Sequence, residues 1–182
     1  MKQRLLFLGP PGAGKGTQAQ KLAASHHLLH LSTGDLLRAE VQAGTSLGQE
    51  AEAVMARGEL VSDALVLAIV HQRLAQHQGG WLLDGFPRNL PQAIALDHLL
   101  QELQQSIELV VLMELEAPVL LQRLLARGRA DDNEGVIRHR LTVYEEQTAP
   151  LIAHYRAQGL LQPVEATGTV EEIADRISSL LN

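Results

Sequence analysis

The chain has 182 residues, of which 46% are apolar and 3% aromatic, and its formal net charge at pH 7 is −6. This length and composition predict one globular domain, with no apolar run of about 18 residues for a membrane span and no basic surface for general nucleic-acid binding. The chain has no cysteine, which excludes disulfides and thiolate zinc sites and favours a cytoplasmic protein.

Short apolar runs of β type alternate with helical patterns along the chain. The predicted strands lie near residues 3–8, 28–31, 81–84, 109–115 and 160–164. The predicted helices lie near residues 14–25, 34–43, 48–57, 62–76, 90–104, 118–126, 132–155 and 170–181. The alternation predicts an α/β fold with a parallel sheet covered on both faces, and ligands at the carboxyl ends of the strands.

The first predicted strand runs into a glycine-rich loop, Gly9-Pro10-Pro11-Gly12-Ala13-Gly14-Lys15-Gly16-Thr17, which a helix follows. Glycines let backbone N–H groups turn toward an anion, and the helix adds its positive end. Lys15 would reach the outer phosphates of a nucleoside triphosphate. The general phosphate-binding pattern has Ser or Thr directly after the lysine, whereas here Gly16 intervenes before Thr17. The alternative is a strand–helix turn with no ligand, which the strand–loop–helix context disfavours.

The loop after the second strand offers two interpretations. Ser32 or Thr33 can cap the helix that follows, which needs no ligand. Arg38 lies one turn into that helix, where it can pair with Asp35 or remain available to a ligand.

The loop after the third strand contains Asp84, Gly85, Phe86, Pro87 and Arg88. A carboxylate at the tip of an apolar strand is where a group directed at Mg²⁺ belongs in a P-loop enzyme, and it can act through water. Arg88 can offer a planar fork to phosphate oxygens. The alternatives are a turn residue for Asp84 and a surface charge for Arg88. The preceding Trp81 is expected in the core.

Five of the twelve arginines fall within eighteen residues: Arg123, Arg127, Arg129, Arg138 and Arg140. Asp131 is the predicted cap of the helix that follows, and Ile137 begins its apolar stripe. Arg138 lies one turn from Glu134 on the solvated side, whereas Arg140 lies beside the stripe. An arginine beside a buried stripe needs an anion, so Arg140 is the stronger functional candidate.

No His, Cys or Ser is placed as an activated nucleophile or a general base. A kinase that acts on a hydroxyl wants a base, but a nucleoside monophosphate has a second pKa near about 6 and is already a dianion at neutral pH. Many arginines without a base therefore favour a phosphate acceptor.

Together these residues resemble the adenylate kinase family over nearly the whole chain. The stretches that carry the resemblance are Gly9–Thr17, Leu31–Arg38, Leu83–Arg88 with Pro91-Gln92-Ala93, Gly128–Asp132 and Thr148–Ile152. The resemblance implies a P-loop NTPase-type three-layer α/β/α fold with a five-stranded parallel sheet. It divides the single domain into a core (1–31, 62–125 and 133–182), a small helical NMP-binding segment (32–61) and a very short lid (126–132).

The resemblance also assigns residues to sites by their position. For ATP it implies Gly12, Ala13, Gly14, Lys15, Gly16, Thr17, Arg127 and Gly168. For AMP it implies Thr33, Arg38, Glu59, Leu60, Val61, Gly85, Phe86, Pro87, Arg88, Gln92, Arg129 and Arg140. The implied catalytic residues are Lys15, Arg88, Arg123, Arg127, Arg129 and Arg140.

The implied reaction is reversible phosphoryl transfer from MgATP to AMP, giving two ADP, by a monomer with no nucleic-acid or membrane partner. Mg²⁺ would be held by phosphates and water near Thr17 and Asp84, without a direct protein ligand and without zinc. Related UMP/CMP kinases carry Ala at position 33 and lack the Pro-Gln-Ala, so Thr33 and Gln92 favour adenine. A nucleotide-dependent switch is the alternative of another class.

The predicted lid departs from the family pattern, because only Gly128 separates Arg127 from Arg129. Gly135 also stands where the family has a helix former, at a cost of up to about 1 kcal/mol relative to Ala. Arg127 and Arg129 are both present in the shortened lid. We expect the shortening to affect how completely the lid excludes water.

Overall fold

The computed structural model describes residues 1–57, 61–128 and 133–182. Within them, the strands are β1 (Arg4–Leu8), β2 (Leu29–Ser32), β3 (Trp81–Asp84), β4 (Leu109–Glu114) and β5 (Leu161–Glu165). All neighbouring strands pair in parallel, in the order β2-β3-β1-β4-β5. The predicted five-stranded parallel sheet is therefore confirmed, and its strand ends lie within one residue of the predicted positions.

The helices alternate with these strands. They are α1 (Lys15–His26), α2 (Thr33–Ala43), α3 (Ser46–Ala56), α4 (Asp63–Ala75), α5 (Leu90–Glu102), α6 (Ala117–Arg127), α7 (Glu134–Val143), α8 (Ala149–Ala157) and α9 (Val170–Ser179). A π-helical turn, Tyr144–Thr148, joins α7 to α8. In the parts of the chain that the structure describes, every helix is too short or too polar to cross a bilayer.

Alternating side chains of β1 build two cores, one on each face of the sheet. Leu6 and Leu8 join the core covered by α4, α5 and α8, whereas Leu5 and Phe7 join the core covered by α1, α6 and α9. All four side chains are at most 3% exposed, and burial of each stabilises the fold by about 1.5–3 kcal/mol. Trp81 lies in the first core, as predicted.

The position of β1 in the sheet places the glycine-rich loop. β1 lies between β3 and β4, so the strand order reverses there and leaves a crevice at its carboxyl end. In register, Phe7 is opposite Asp84, and Asp84 is in turn opposite Ser32. The loops that follow β1, β2 and β3 therefore meet at one edge of the sheet.

The predicted single helix over 132–155 is corrected in two respects. Its cap is Asn133, whose Oδ1 accepts the N–H of Val136 at 3.0 Å, and not Asp131, which lies outside the described residues. The helix also widens into the π turn before Pro150. Proline lacks an N–H and its ring clashes with the carbonyl four residues earlier, and a wider turn relieves both problems.

Glu108 ties the beginning of β1 to the beginning of β4. Its Oε2 accepts the backbone N–H groups of Gln3 at 2.8 Å and Arg4 at 2.9 Å, and its Oε1 lies 3.2 Å from Arg4 Nη2. Burial by itself would raise the pKa of Glu108, but the two backbone hydrogen bonds and the Arg4 guanidinium outweigh it and hold the pKa below its ordinary value. Folding therefore favours the ionised carboxylate.

We expect Glu108→Gln to lower the melting temperature at neutral pH, because the amide has no charge and only one acceptor atom. A carboxyl whose pKa is lower in the folded state contributes stability that is present above its ordinary pKa of 4.5 and is lost as the pH falls through the folded value. The difference between wild type and variant should therefore shrink in acid, as thermal unfolding at pH 7 and pH 3 would measure. Glu50→Gln, on an exposed position of α3, is the control and should unfold like wild type. An equal difference at both pH values would contradict the role given to the charge.

Candidate active site

The glycine-rich loop forms an open cradle between β1 and α1. Gly12 and Gly14 have φ values of +84° and +90°, in the left-handed region that glycine tolerates. A Cβ at Gly12 would lie 2.9 Å from Leu124 Cγ, so this turn packs closely against α6. A Cβ at Gly14, the residue before α1, would meet nothing within 4 Å. Gly14 thus borders open space at the start of α1, and a helix N-terminus favours an anion.

Lys15 lies in the first turn of α1 and folds back over this loop. Its Nζ donates to the carbonyl oxygens of Gly9 at 2.7 Å and Pro10 at 3.2 Å. Burial lowers the pKa of Lys15; the Asp84 carboxylate opposes this shift and the Arg88 guanidinium adds to it. The ammonium is therefore held at an energetic cost that a further anion would relieve.

Two adjoining cavities open at this edge of the sheet. The first, of about 570 Å³, is lined by Phe7, Leu8, Gly9, Pro11, Lys15, Gly85, Pro87, Arg88, His139, Arg140, Val143, Tyr144, Gln147 and Thr148. The second, of about 560 Å³, is lined by Pro11, Gly12, Gly14, Lys15, Gly16, Thr17, Asp84, Arg123, Leu124, Arg127 and Arg140. Lys15 and Arg140 line both, so these two cations stand at the boundary between the cavities.

The structure separates the predicted arginines by helix face. Arg140 is half-buried at the cavity boundary, whereas Arg138 is 65% exposed and its Nη2 lies 2.8 Å from Glu134 Oε1. The predicted contrast between these two arginines is therefore confirmed in position. Arg123 lines the second cavity and donates from Nη2 to the carbonyl of Ala166 at 2.9 Å, which ties it to the end of β5. Arg129 lies outside the described residues.

The turn that carries Arg88 is held from both sides. Its Nε donates to the carbonyl of Gly85 at 3.1 Å, and the hydroxyl of Thr148 donates to the Arg88 carbonyl at 2.8 Å. The Phe86–Pro87 peptide bond in this turn is cis. Arg88 is exposed and lines the first cavity, as Arg140 does.

Asp84 ends β3 and is 9% exposed. Its Oδ2 would lie 3.9 Å from a Cβ at Gly16, and Asp84 and Thr17 both line the second cavity. A carboxylate and a hydroxyl beside a phosphate cradle are the oxygen donors that Mg²⁺ prefers, directly or through water. These residues therefore fit the predicted position of Mg²⁺.

Sequence reasoning missed two residues that line or adjoin these cavities. His30 Nε2 lies 3.6 Å from Asp84 Oδ2 and, among the described residues, has no hydrogen-bond partner. The period-2 pattern of β2 contains this signal, because His30 shares a face with Ser32 while Leu29 and Leu31 face the core. Tyr144, in the π turn, lines the first cavity; burial raises its pKa to about 12, with a further contribution from the Glu114 carboxylate.

The structure brings together only some of the residues that the family resemblance assigns to AMP. A Cβ at Gly85 would lie 3.3 Å from Thr33 Oγ1, so the turn after β3 touches the first residue of α2. Ser32 occupies the cap position of α2, but its side chain makes no capping hydrogen bond. The Arg38 guanidinium forms an ion pair with Asp35, which is the interpretation that needs no ligand.

Four further positions were assigned to the nucleotides by resemblance to the family. Val61 is partly buried against the first core, and Glu59 and Leu60 lie outside the described residues. On the donor side, Gly168 follows β5 with a φ of +105° and lines neither of the two cavities.

Gln92 is buried in the first turn of α5, with 9% of its surface exposed. Its Oε1 accepts the Arg88 N–H at 2.6 Å, and its Nε2 donates to Asp63 Oδ1 at 2.7 Å. Its backbone N–H donates to Asn89 Oδ1, the helix cap, at 3.0 Å. The side chain is therefore anchored at both ends of its amide, beside the turn that carries Arg88.

A phosphate cradle at the switch point of a five-stranded parallel sheet defines a P-loop nucleotide-binding protein. The family model for adenylate kinase matches residues 7–160. A protein named adenylate kinase from Synechococcus sp. (strain RCC307) is 71% identical over 181 residues, covering 100% of both chains. Proteins of the same name from Prochlorococcus marinus (strain MIT 9303) and Synechococcus sp. (strain CC9902) are 70% and 64% identical, again over 100% of both chains. The chain belongs to the adenylate kinase family.

We expect Lys15→Met to stabilise the nucleotide-free protein, because it removes a charge that folding desolvates. The melting temperature should rise by a few degrees, since about 1 kcal/mol corresponds to about 2–4 °C in a chain of this size. A base whose pKa is lowered destabilises the folded state most below its folded pKa, and this cost fades as the pH rises toward 10.5. The gain in the variant should therefore be largest at neutral pH and shrink in alkali, as thermal unfolding at both values would measure.

Lys21→Met is the matched control on the same helix. Lys21 is 43% exposed and pairs with Glu171 at 3.0 Å, so its removal should not stabilise the protein. MgATP should raise the melting temperature of wild type and of this control, but not of Lys15→Met. A lower melting temperature for nucleotide-free Lys15→Met than for wild type would show that the Lys15 charge stabilises the fold.

Proposed function

We propose that this chain catalyses reversible transfer of a phosphoryl group from MgATP to AMP, giving two ADP, and so maintains the balance of adenine nucleotides. The observation that carries the proposal is the pair of adjoining cavities that share Lys15 and Arg140. One contains the phosphate cradle and the other contains Arg88. A nucleotide-dependent switch needs only the first cavity, whereas a transferase needs two phosphate sites with cations between them.

On the donor side, the loop from Gly12 to Thr17 would hold the phosphates of ATP through its N–H groups and Lys15. Arg123 and Arg127 line the same cavity and would contact the transferred group from the side of α6. Backbone near Gly168 would meet the adenine of ATP. We assign this last role by resemblance to the family.

On the acceptor side, Arg88 and Arg140 would hold the phosphate of AMP, and Gln92 would hydrogen-bond its adenine. The turn from Gly85 to Pro87 and the residues Thr33 and Val61 would line the nucleotide. Arg38 would exchange Asp35 for the phosphate when AMP binds. Glu59, Leu60 and Arg129 are assigned to this site by resemblance to the family.

Mg²⁺ would be held by the phosphates and by water beside Thr17 and Asp84. When bound, it neutralises charge on the phosphates and helps to orient them. Asp84, which is buried at the tip of β3, would accept hydrogen bonds from that water.

The acceptor needs no general base, because its phosphate oxygen is already ionised at neutral pH. The protein's contribution is to align the two phosphates and to stabilise charge in the transition state. Lys15 and Arg140 stand at the boundary where the transferred group would pass. The catalytic set is Lys15, Arg88, Arg123, Arg127, Arg129 and Arg140.

We further propose that residues 32–61 and 126–132 close over the nucleotides and exclude water from the transfer. The protein would act as a cytoplasmic monomer. We assign the monomeric state by resemblance to the family, and the absence of cysteine from the sequence supports a reducing compartment.

Acceptor choice tests the proposal directly. With MgATP as donor, AMP should support ADP formation in a coupled assay, at a kcat/KM well above that for UMP or CMP, and shikimate should give none. No turnover with AMP would defeat the proposal. Preference for UMP or CMP would keep the phosphoryl transfer but reject adenine as the acceptor base.

The two arginines of α7 provide a matched pair of variants. Arg140→Ala should lower kcat by about 10²–10³, because it removes a preorganised donor at the cavity boundary. Arg138→Ala, on the exposed face of the same helix, should change kcat little. Steady-state kinetics on both variants, with circular dichroism to check folding, would measure this. Equal losses in both variants would indicate damage to α7 and refute the specific role of Arg140.

A further inference from the structure

The amide of Gln92 is clamped by two partners that differ in hydrogen-bonding character. The Arg88 N–H can only donate, and it meets Oε1 at 2.6 Å. The Asp63 carboxylate accepts, and it meets Nε2 at 2.7 Å. The two partners come from the turn after β3 and from the first residue of α4, which is 29 residues away from Gln92 in the sequence.

These two contacts fix which way the amide points. In the reversed orientation, the Nε2 hydrogens would face the Arg88 N–H, and Oε1 would face the Asp63 carboxylate. Both contacts would then be repulsive, so only one orientation satisfies them. A primary amide has two N–H donors and two acceptor lone pairs. The clamp uses one of each and leaves one acceptor position and one donor position with a fixed polarity.

We propose that Asp63 is a positioning residue that makes the acceptor site select a 6-aminopurine over a 6-oxopurine. The inference rests on the proposed function, in which Gln92 contacts the purine of the acceptor. Adenine offers a donor at N6 beside ring acceptors, so the fixed amide oxygen receives N6–H and the fixed amide N–H reaches a ring nitrogen. A 6-oxopurine presents its O6 acceptor to the same amide oxygen.

The contact with Asp63 raises the free energy that is needed to rotate the Gln92 amide toward a 6-oxopurine. Gln92 without a partner at Nε2 can rotate its amide to present N–H toward O6, opposed by the Arg88 N–H alone. With Asp63 in place, the same rotation also sets Oε1 against a carboxylate. A site that hydrogen-bonds its substrate rejects an analogue with mismatched groups strongly, because buried polar atoms lose their partners.

Asp63 is not needed as the helix cap. The cap of α4 is Ser62, whose Oγ accepts the Leu65 N–H at 3.2 Å. Asp63 is the next residue, where a carboxylate also favours the helix dipole to a small extent. Ser62 and Asp63 can therefore be substituted separately at the same helix end. Of these two residues, Asp63 is the one that contacts the Gln92 side chain.

The test compares AMP with IMP in Asp63→Ala and wild type. In the variant, the ratio of kcat/KM for AMP to that for IMP should fall about tenfold, which corresponds to the loss of one hydrogen bond to a charged group. The change should appear in KM for the acceptor, with KM for MgATP unaltered. Asp63→Asn retains an acceptor oxygen and should recover part of the ratio. Direct binding of AMP and IMP without ATP, by calorimetry, should show the same shift.

Ser62→Ala is the structural control. It weakens the start of α4 without removing a partner of Gln92, so it should lower the melting temperature and leave the AMP:IMP ratio at the wild-type value. A wild-type ratio in Asp63→Ala, in both kinetics and binding, would overturn the inference, as would an equal change in Ser62→Ala. Failure of wild type to phosphorylate AMP would reject the proposed function instead, and the binding ratios would still decide the role of Asp63.

Discussion

The desolvated charge of Lys15 is the constraint on which the rest of the site depends. A chain of net charge −6 gathers Lys15, Arg88, Arg123, Arg127 and Arg140 around two cavities, and burial and Arg88 both act against the ammonium. Only strong packing elsewhere can hold such a group in place. That packing is the buried β1 strand and the close approach of Gly12 to Leu124 of α6, which together fix the loop. In the proposed reaction, a phosphoryl group would meet donors that need little reorganisation, which is the basis of electrostatic catalysis.

The π turn links two elements that line the first cavity, namely α7 and the turn after β3. Arg140 belongs to α7, which runs without a break into Tyr144–Thr148, and the hydroxyl of Thr148 holds the carbonyl of Arg88 at 2.8 Å. One helical segment therefore carries Arg140 and also anchors the turn that carries Arg88. The wider turn also brings Tyr144 and Gln147 to the cavity. Pro150 thus has a consequence at the site although it lies outside it.

The features predictable from the sequence are those whose signal is local. Alternating apolar runs predicted the five parallel strands, and the glycine spacing predicted the cradle before α1. Helical spacing alone separated Arg138 from Arg140, because one lies over Glu134 and the other beside Ile137. These predictions needed only the periods of strands and helices and the geometry of loops.

The features that escaped prediction depend on contacts between distant elements or on a change of helical period. Leu141, before the π turn, packs against the second core, whereas Leu151 and Ile152, after it, belong to the first core. In the sequence, only Pro150 marks this change. The clamp from Asp63 to Gln92 joins two helices across 29 residues, and no local pattern contains it. The sequence left Arg38 open between Asp35 and a ligand, and the structure shows the ion pair. That result describes one state of the chain, because a surface ion pair of this kind is weak enough for a phosphate to displace.

Gln92 shows why a capping role and a recognition role need not be alternatives. It is the third residue of α5: its N–H bonds the Asn89 cap, and its side chain reaches back to the Arg88 N–H, one residue beyond the usual capping-box partner. The hydrogen bonds that begin α5 therefore order the amide of Gln92. A side chain that is already ordered loses little rotamer entropy when a base binds. In the proposed site, the hydrogen bonds that begin α5 also position the Gln92 amide, which would bind the purine. The contact with Asp63 fixes which end of that amide is the donor.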